Sequence, residues 1–307
     1  MNHNSRLERA WAHYMADRTS AAIQLLKELL GEDPNHAEYH SLLAACLLQD
    51  KRLHAAEYEL GLALKIDPQM PFLYLLQSNI LVFKNKFKQA LAACDQALAL
   101  APEFIDALLK KAEILLLLNQ YAEARSCLDQ AARISPDNLA VTLAYADFHL
   151  TNGDIKNAET FALEALHQDA QNETANVLMG KIRLTQGNIQ EAEYHAKFVI
   201  LNNPNSEQGL ALFSNIKART NWFLGLWWRL NNKLANSTQF KQITYLICAY
   251  LFFNLLSQIV EDMGHKSLSD MIGYAWLGLV VYSWVAIPIY IKMLKKELDN
   301  FQFNRDF

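Results

Sequence analysis

The 307-residue sequence has few of the features that build catalytic or cross-linked proteins. It has ten glycines, and they form no phosphate-binding loop or nucleophile elbow; no HExxH helix occurs either. Its four cysteines include no CxxC pair, so we expect reduced, buried thiols and no metal site. The net charge of −4 offers no attraction for nucleic acid. These absences predict a protein that is not an enzyme and that uses no cofactor, metal or small-molecule substrate.

The first residues, MNHNSRLERAWAHYM, contain no apolar run. A secretory signal peptide needs such a run between its charged start and its cleavage site. We therefore expect no secretory signal peptide in this segment.

What the sequence does have is a period of 34 residues over its first two thirds. Prolines recur at this spacing, with Ala170 in the one gap, at Pro34, Pro68, Pro102, Pro136 and Pro204. An alanine lies twelve residues before each of these six places, at Ala22, Ala56, Ala90, Ala124, Ala158 and Ala192. Another column of small residues consists of Ala10, Ala44, Ser78, Ala112, Ala146 and Gly180. Such agreement indicates six copies of one structural unit.

Each copy contains two stretches of helical period joined by a short polar turn such as TNGD (151–154). The proline follows the second stretch, where it cannot donate to another helical turn. We therefore predict an all-α fold of six helical hairpins, in which small residues let paired helices approach closely. A capping helix over 206–219, with Leu210, Phe213 and Ile216 as its apolar stripe, is expected to close the end of the sixth hairpin.

These columns resemble the tetratricopeptide repeat (TPR) family over residues 3–204. The small residue stands at the eighth position of each copy, the alanine at the twentieth and the proline at the thirty-second. The tryptophan that is frequent at the fourth position is missing from every copy, and the third copy has Tyr74 there. The tyrosine that is frequent at the eleventh position is also missing. The resemblance implies a right-handed solenoid over 3–219 whose concave groove is lined by the first helix of each repeat.

The resemblance also implies which residues bind a partner. Carried over from the groove-facing positions of the family, the candidate protein-binding residues are Trp11, Tyr14, Leu75, Asn79, Val82, Phe83, Leu109, Glu113, Leu116, Leu117 and Asp147. The fifth positions hold no basic residue, which disfavours the carboxylate clamp of some family members. An apolar groove with acidic spots suits an amphipathic helix or a neutral to basic segment of a protein. The alternative is that the leucines pack between neighbouring repeats.

The composition changes near residue 220, beyond which five of the six tryptophans lie. Residues 220–240 are predicted to form an amphipathic interfacial helix and a linker. The residues expected at the membrane interface are Trp222, Phe223, Trp227, Trp228 and Arg229. The alternative is one more helix that packs on the solenoid.

Two runs without Asp, Glu, Lys or Arg follow, at 242–260 and 271–291. Each has about the 20 residues needed to span a bilayer, so we expect a two-helix transmembrane hairpin over 241–294 and a short C-terminal tail over 295–307. Basic residues flank the outer ends of the runs, whereas the connection 261–270 is mostly acidic. The positive-inside rule then predicts two passes through a cell inner membrane with both termini in the cytoplasm; an organelle membrane is the alternative.

Two pairs of polar residues have a helical spacing that could form a site. Asn254 and Gln258 lie within the first run and are expected to hydrogen-bond across the hairpin or to another subunit, the alternative being a water-facing place near the outer end. His36 and His40 have a metal-binding spacing, but no third ligand accompanies them, which favours ordinary surface histidines.

The sequence as a whole predicts a membrane-anchored TPR scaffold that binds a protein partner through its groove at the cytoplasmic face. The alternative is a structural or assembly subunit of a larger membrane complex, for secretion or envelope biogenesis, whose hairpin packs against other spans. The predicted partners are a protein or peptide and the lipid bilayer.

Overall fold

The computed structural model describes residues 3–220, 239–275 and 277–278, and every regular element in these ranges is a helix. The all-α prediction is confirmed for this part of the chain. The chain divides into two compact units, Met1–Asp169 and Ala170–Phe307. Their boundary lies at Ala170, which replaces the repeated proline.

The first unit consists of five helical hairpins that recur every 34 residues. Its helices are α1 (His3–Met15), α2 (Thr19–Glu32), α3 (Ala37–Gln49), α4 (Leu53–Ile66), α5 (Pro71–Phe83), α6 (Phe87–Leu100), α7 (Ile105–Leu117), α8 (Tyr121–Ile134), α9 (Leu139–Thr151) and α10 (Ile155–Gln168). The odd-numbered helices are called A helices here, and the even-numbered ones B helices. Each A helix packs against its own B helix and against the next A helix within this unit.

The second unit begins with the sixth hairpin, α11 (Glu173–Thr185) and α12 (Ile189–Asn202). The helix α13 (Glu207–Thr220) packs against both, as expected of a cap. Its buried face contains Phe213 and Ile216 as predicted, but Leu212 takes the place of Leu210, which stays 36% exposed. Gly180, at the eighth position of this repeat, leaves room for Leu212 of the cap. A Cβ at residue 180 would lie 2.5 Å from Leu212 Cδ2, which is too close for two carbon atoms.

The repeated small residues lie at the contact between the helices of each hairpin. All members of the eighth and twentieth columns are buried, from Ala10 and Ala22 to Gly180 and Ala192. A larger side chain there would push the helices apart, because packed interiors have little spare volume. The predicted reason for the columns is confirmed.

The turn between each A helix and its B helix depends on one backbone conformation. Residues with φ between 56° and 85° recur at the fifteenth position of every repeat, namely Asp17, Lys51, Asn85, Asn119, Gly153 and Gly187. The next N–H then donates to the carbonyl five residues back, as Asp154 N–H does to His149 O at 2.8 Å. This is the Schellman arrangement that ends helices.

The turn between a B helix and the next A helix is tied by the fourth position of the repeat. His40 Nε2 donates to Pro34 O at 2.9 Å, and the Tyr74 hydroxyl donates to Pro68 O at 3.0 Å. In the sixth repeat, Asn176 Nδ2 donates to Ala170 O at 3.0 Å. Polar side chains thus replace the family's usual tryptophan and satisfy a carbonyl left open at the end of the preceding helix.

Asn176 also accepts a hydrogen bond from the half-buried His195. Its Oδ1 lies 3.0 Å from His195 Nδ1, which must carry the proton because an amide oxygen only accepts. Burial, with a smaller effect of the nearby Arg183, lowers the pKa of His195 to about 4. His195 is therefore an uncharged structural residue at neutral pH.

The last described elements form a tight turn. The helix α14 (Gln239–Asp262) is followed by a turn at residues 263–265, and residues 266–275 are helical again. Gly264 has φ 85°, and Ser257 Oγ lies 2.9 Å from Ser269 Oγ. The connection is shorter than the expected 261–270 because the Schellman arrangement at Gly264 reverses the chain within three residues.

Because Gly153 has a φ of 82°, replacing it should destabilise the protein through backbone strain and not through packing. A Cβ at Gly153 would meet no atom within 4 Å, so Gly153→Ala should cost only the conformational strain, about 1 kcal/mol of unfolding free energy. Gly153→Asn should cost less, because asparagine tolerates this conformation and holds the same place at Asn85 and Asn119. Urea unfolding of the three proteins measures the difference. Equal losses for alanine and asparagine would contradict the assignment.

Candidate protein-binding site

The A helices of the first four repeats enclose a cavity of about 740 Å³, called here the A-helix cavity. It lies near the A–B turns, since two turn residues contribute to it. The lining residues are Tyr14, Met15, Ala45, Leu48, Gln49, Lys51, Leu76, Asn79, Val82, Phe83, Asn85, Lys110 and Glu113. All of them belong to the first unit, so four consecutive hairpins build one concave site.

The structure brings five of the predicted groove residues together in this cavity. They are Tyr14, Asn79, Val82, Phe83 and Glu113. Their positions in the repeat, the ninth, twelfth and thirteenth, place them on the same face of successive A helices.

The other predicted groove residues do not line the cavity. Leu75 and Leu116 are buried, which is the packing alternative. Trp11 packs against Phe72, with ring centroids 5.5 Å apart, and its Nε1 donates to Glu38 Oε1 at 3.3 Å. The remaining three, the half-buried Leu109 and Asp147 and the exposed Leu117, also lie outside the lining.

Sequence reasoning missed several lining residues. The same position rule applied to the second repeat gives Ala45, Leu48 and Gln49, so the signal was present there. Lys51 and Asn85 stand at the fifteenth position, in the A–B turns at the edge of the cavity. The sequence gives no comparable signal for Leu76 and Lys110, at the sixth position.

Large apolar side chains stay exposed beside the cavity at the thirteenth position of the repeat. The exposed fractions are 74% for Met15, 59% for Phe83 and 55% for Leu117. Exposed apolar groups that cluster around a concavity are typical of protein interaction sites.

The electrostatics of the cavity differ from the expected acidic groove. Glu113 Oε2 lies 2.6 Å from Lys110 Nζ, so this carboxylate is already paired. Burial raises the pKa of Tyr14, which keeps its hydroxyl protonated and able to donate. Glu113 therefore does not give the cavity the negative charge that the sequence predicted.

The C-terminal pair Asn254 and Gln258 lies beside a small cavity of about 110 Å³ in the second unit. Asn254 Nδ2 donates to the Tyr250 hydroxyl at 3.3 Å within α14. Ser257, between the pair, makes the contact across the turn to Ser269. Around them, large apolar side chains of α14 are exposed, among them Leu251, Phe252, Leu255 and Ile259.

The predicted membrane-interface residues Trp222, Phe223, Trp227, Trp228 and Arg229 lie outside the described residues, as does most of the run 271–291. Considering only the described ranges, no helix has both the length and the apolar character that crossing a membrane requires.

The expectation of ordinary surface histidines is wrong for His40, which is 7% exposed. His40 is buried between Glu59 Oε2, at 2.6 Å from its Nδ1, and Pro34 O. His36 stacks on Tyr39, with ring centroids 3.7 Å apart. Among the described residues, no group of three or more metal-ligating side chains occurs. Cys46, Cys94 and Cys127 are buried, and burial raises the pKa of each thiol.

Solved structures with the same fold include TTC0263, a thermophilic TPR protein of Thermus thermophilus. It is 22% identical, with a TM-score of 0.55 over 60% of this chain and 100% of that chain. PilW, a widely conserved type IV pilus biogenesis factor, is 19% identical with a TM-score of 0.53, covering 69% and 99% of the two chains. PilF of Pseudomonas aeruginosa is 17% identical with a TM-score of 0.50, covering 71% and 97%. At these low sequence identities, the similarity shows a shared fold and nothing more.

No curated protein sequence matches the chain significantly. Family models described as tetratricopeptide repeat match residues 13–80 and 120–175 in one case and 75–138 in another. Together they extend over 13–175, more than half of the chain. The repeat columns, the hairpins that they form and these matches show that the chain belongs to the tetratricopeptide repeat family.

Proposed function

We propose that the protein is a non-enzymatic scaffold that binds a segment of a protein partner in the A-helix cavity. The cavity itself carries the proposal, because its volume of about 740 Å³ and its lining from four successive A helices offer one continuous surface to side chains of a partner segment. Met15 and Phe83 add exposed apolar surface at its rim. Burial of such side chains is the main source of binding energy in helix-in-groove recognition.

The scaffold is, in this proposal, held at the cytoplasmic face of the cell inner membrane by a transmembrane hairpin over 241–294. The uncharged runs 242–260 and 271–291 support this, together with the exposed apolar side chains of α14. A row of large exposed apolar side chains on a helix is unfavourable in water but suits lipid or another span. The interfacial residues Trp222, Phe223, Trp227, Trp228 and Arg229 would lie at the headgroups. Anchoring raises the effective concentration for partners in the same membrane.

The second candidate is an assembly subunit whose hairpin packs against spans of other proteins. Asn254 and Gln258 favour it, because both amides are exposed on an otherwise apolar helix. In lipid such amides gain about 1 kcal/mol or less each by bonding to a neighbouring span. PilW, a pilus biogenesis factor, shows that the fold occurs in assembly systems.

Replacing Phe83 and Leu117 with serine should weaken partner capture by about tenfold or more, because full burial of each side chain is worth about 1.5–3 kcal/mol and about 1.4 kcal/mol corresponds to a tenfold change. The measurement is quantitative mass spectrometry of proteins cross-linked to the full chain in membranes. Circular dichroism should stay helical, because both side chains are more than half exposed.

The matched control is Tyr58→Ser on α4, which removes a 66% exposed aromatic from a B helix. Capture should persist in this variant. An equal loss with Tyr58→Ser, or a loss of helicity in the double variant, would remove the assignment of Phe83 and Leu117 to the site.

The proposed topology predicts which inserted cysteines react on intact cells. With Cys248 replaced by alanine, a cysteine at Ser267 should react with an impermeant maleimide, because the turn lies outside. A cysteine at Asn304 should react only after the cells are opened. The other native cysteines are buried and serve as the unreactive background. Reaction at 304 alone on intact cells would reverse the orientation.

Exchange of residues 241–294 for an unrelated two-span hairpin separates the two candidate functions. A scaffold should keep partner capture, because its contacts lie in the A-helix cavity. An assembly subunit should lose it while the protein still fractionates with membranes. The same cross-linking measurement reads out both cases.

A further inference from the structure

The two edges of the first unit differ in charge. The B–A turns contain acids in each repeat, at Asp33, Asp67, Glu103 and Asp137. The A–B turns of the first three repeats place a cation at the sixteenth position, at Arg18, Arg52 and Lys86. Two acids lie in the same turns, but Asp17 accepts a hydrogen bond from Gln49 and Asp50 accepts one from Thr19. Since A helices pack side by side in this unit, the three cations share one edge.

The acids of the B–A turns have a local role in the backbone. Asp33 Oδ1 accepts from Asn35 N–H at 3.3 Å, and Asp67 Oδ1 accepts from Gln69 N–H at 2.9 Å. Such turns are a common structural use of aspartate. The composition of this edge at Asp33 and Asp67 therefore has a structural explanation.

The three cations have no such role. Arg18, Arg52 and Lys86 are N-caps of α2, α4 and α6, and none makes a side-chain cap hydrogen bond. In later repeats the same position holds Asp154 and Asn188, which do cap their helices. A cation is unfavourable beside the positive end of a helix dipole. Residues that break a local rule without a local gain are expected at functional sites.

Two of these cations border the A-helix cavity, and Arg18 stands in the next turn along the same edge. Arg52 and Lys86 directly follow Lys51 and Asn85, which line it. All three cations are exposed, and within the described residues none of them forms an ion pair. The carboxylate expected to make the cavity acidic, Glu113, is paired with Lys110. The site thus combines an apolar interior with a cationic rim.

We propose that the occupant of the A-helix cavity is an acidic amphipathic segment of a protein partner. Its apolar side chains pack against Met15, Val82 and Phe83, and its carboxylates face Arg18, Arg52 and Lys86. This inference rests on the proposed function and replaces the neutral to basic segment expected from the sequence. Complementary charge at a rim sets specificity and association rate, whereas the apolar contacts supply most of the affinity.

The test is a displayed library of short helical peptides with leucine or phenylalanine fixed at i, i+3, i+4 and i+7. The remaining positions vary among glutamate, lysine, glutamine and serine. The full-length protein in neutral-lipid nanodiscs should enrich glutamate-rich members. The most enriched peptide, labelled with fluorescein, should bind roughly tenfold more weakly to Arg52→Glu/Lys86→Glu at low salt. High salt should remove this difference, because exposed charges are screened.

The matched control is Lys65→Glu, which reverses a charge at the end of α4 next to a B–A turn. It should bind the peptide like the wild type. Enriched peptides that need Phe83 but are neutral or basic would overturn the acidic partner and leave the proposed function standing. Enriched peptides that bind equally to Phe83→Ser would overturn both. A charge reversal that weakens binding to anionic vesicles but not to the peptide would assign the cations to a lipid surface and overturn this proposal.

Discussion

The close approach of two helices at small residues is the contact on which the other features depend. Where Ala90 or Ala124 meets the partner helix, no side chain larger than a methyl group fits, so each hairpin has one fixed spacing. Because the same contact recurs every 34 residues, consecutive hairpins of the first unit present equivalent faces to each other. The A helices are then held side by side, with their remaining faces available to form a cavity.

Backbone groups at the ends of the helices are satisfied by two different devices. The A–B turn uses a left-handed residue and a bond back to the helix, so it needs little from side chains. The B–A turn uses side chains, such as those of His40 and Asn176, to reach a carbonyl. The A–B turn therefore forms with or without a side-chain cap at the sixteenth position: Asp154 and Asn188 cap their helices there, whereas Arg52 and Lys86 do not.

Much of the fold could be predicted because its signals are local and repeated. The hairpins, the turns with Gly153 and Gly187 and the cap at α13 all follow from residues close in sequence. The cap's apolar stripe was less certain, since Leu210 and Leu212 are both apolar and only the docking of α13 decides which is buried. The groove was predicted in part. Leu75 and Leu116 were indistinguishable by position from residues that line the cavity, because position in a repeat does not state how far neighbouring helices cover a side chain.

The sequence by itself determined the period, the order of helices, the small residues between them and the place of each turn, since every one of these depends on residues close in sequence. Only the tertiary structure decided where the cavity lies and what charge surrounds it. The lining runs from Tyr14 to Glu113 and combines four helices and two turns. Its shape depends on how each hairpin is rotated against the next, and its charge depends on which acids are already paired, as Glu113 is with Lys110. The shape depends on side chains far apart in sequence, and neither the shape nor the pairing of Glu113 follows from the repeated columns alone.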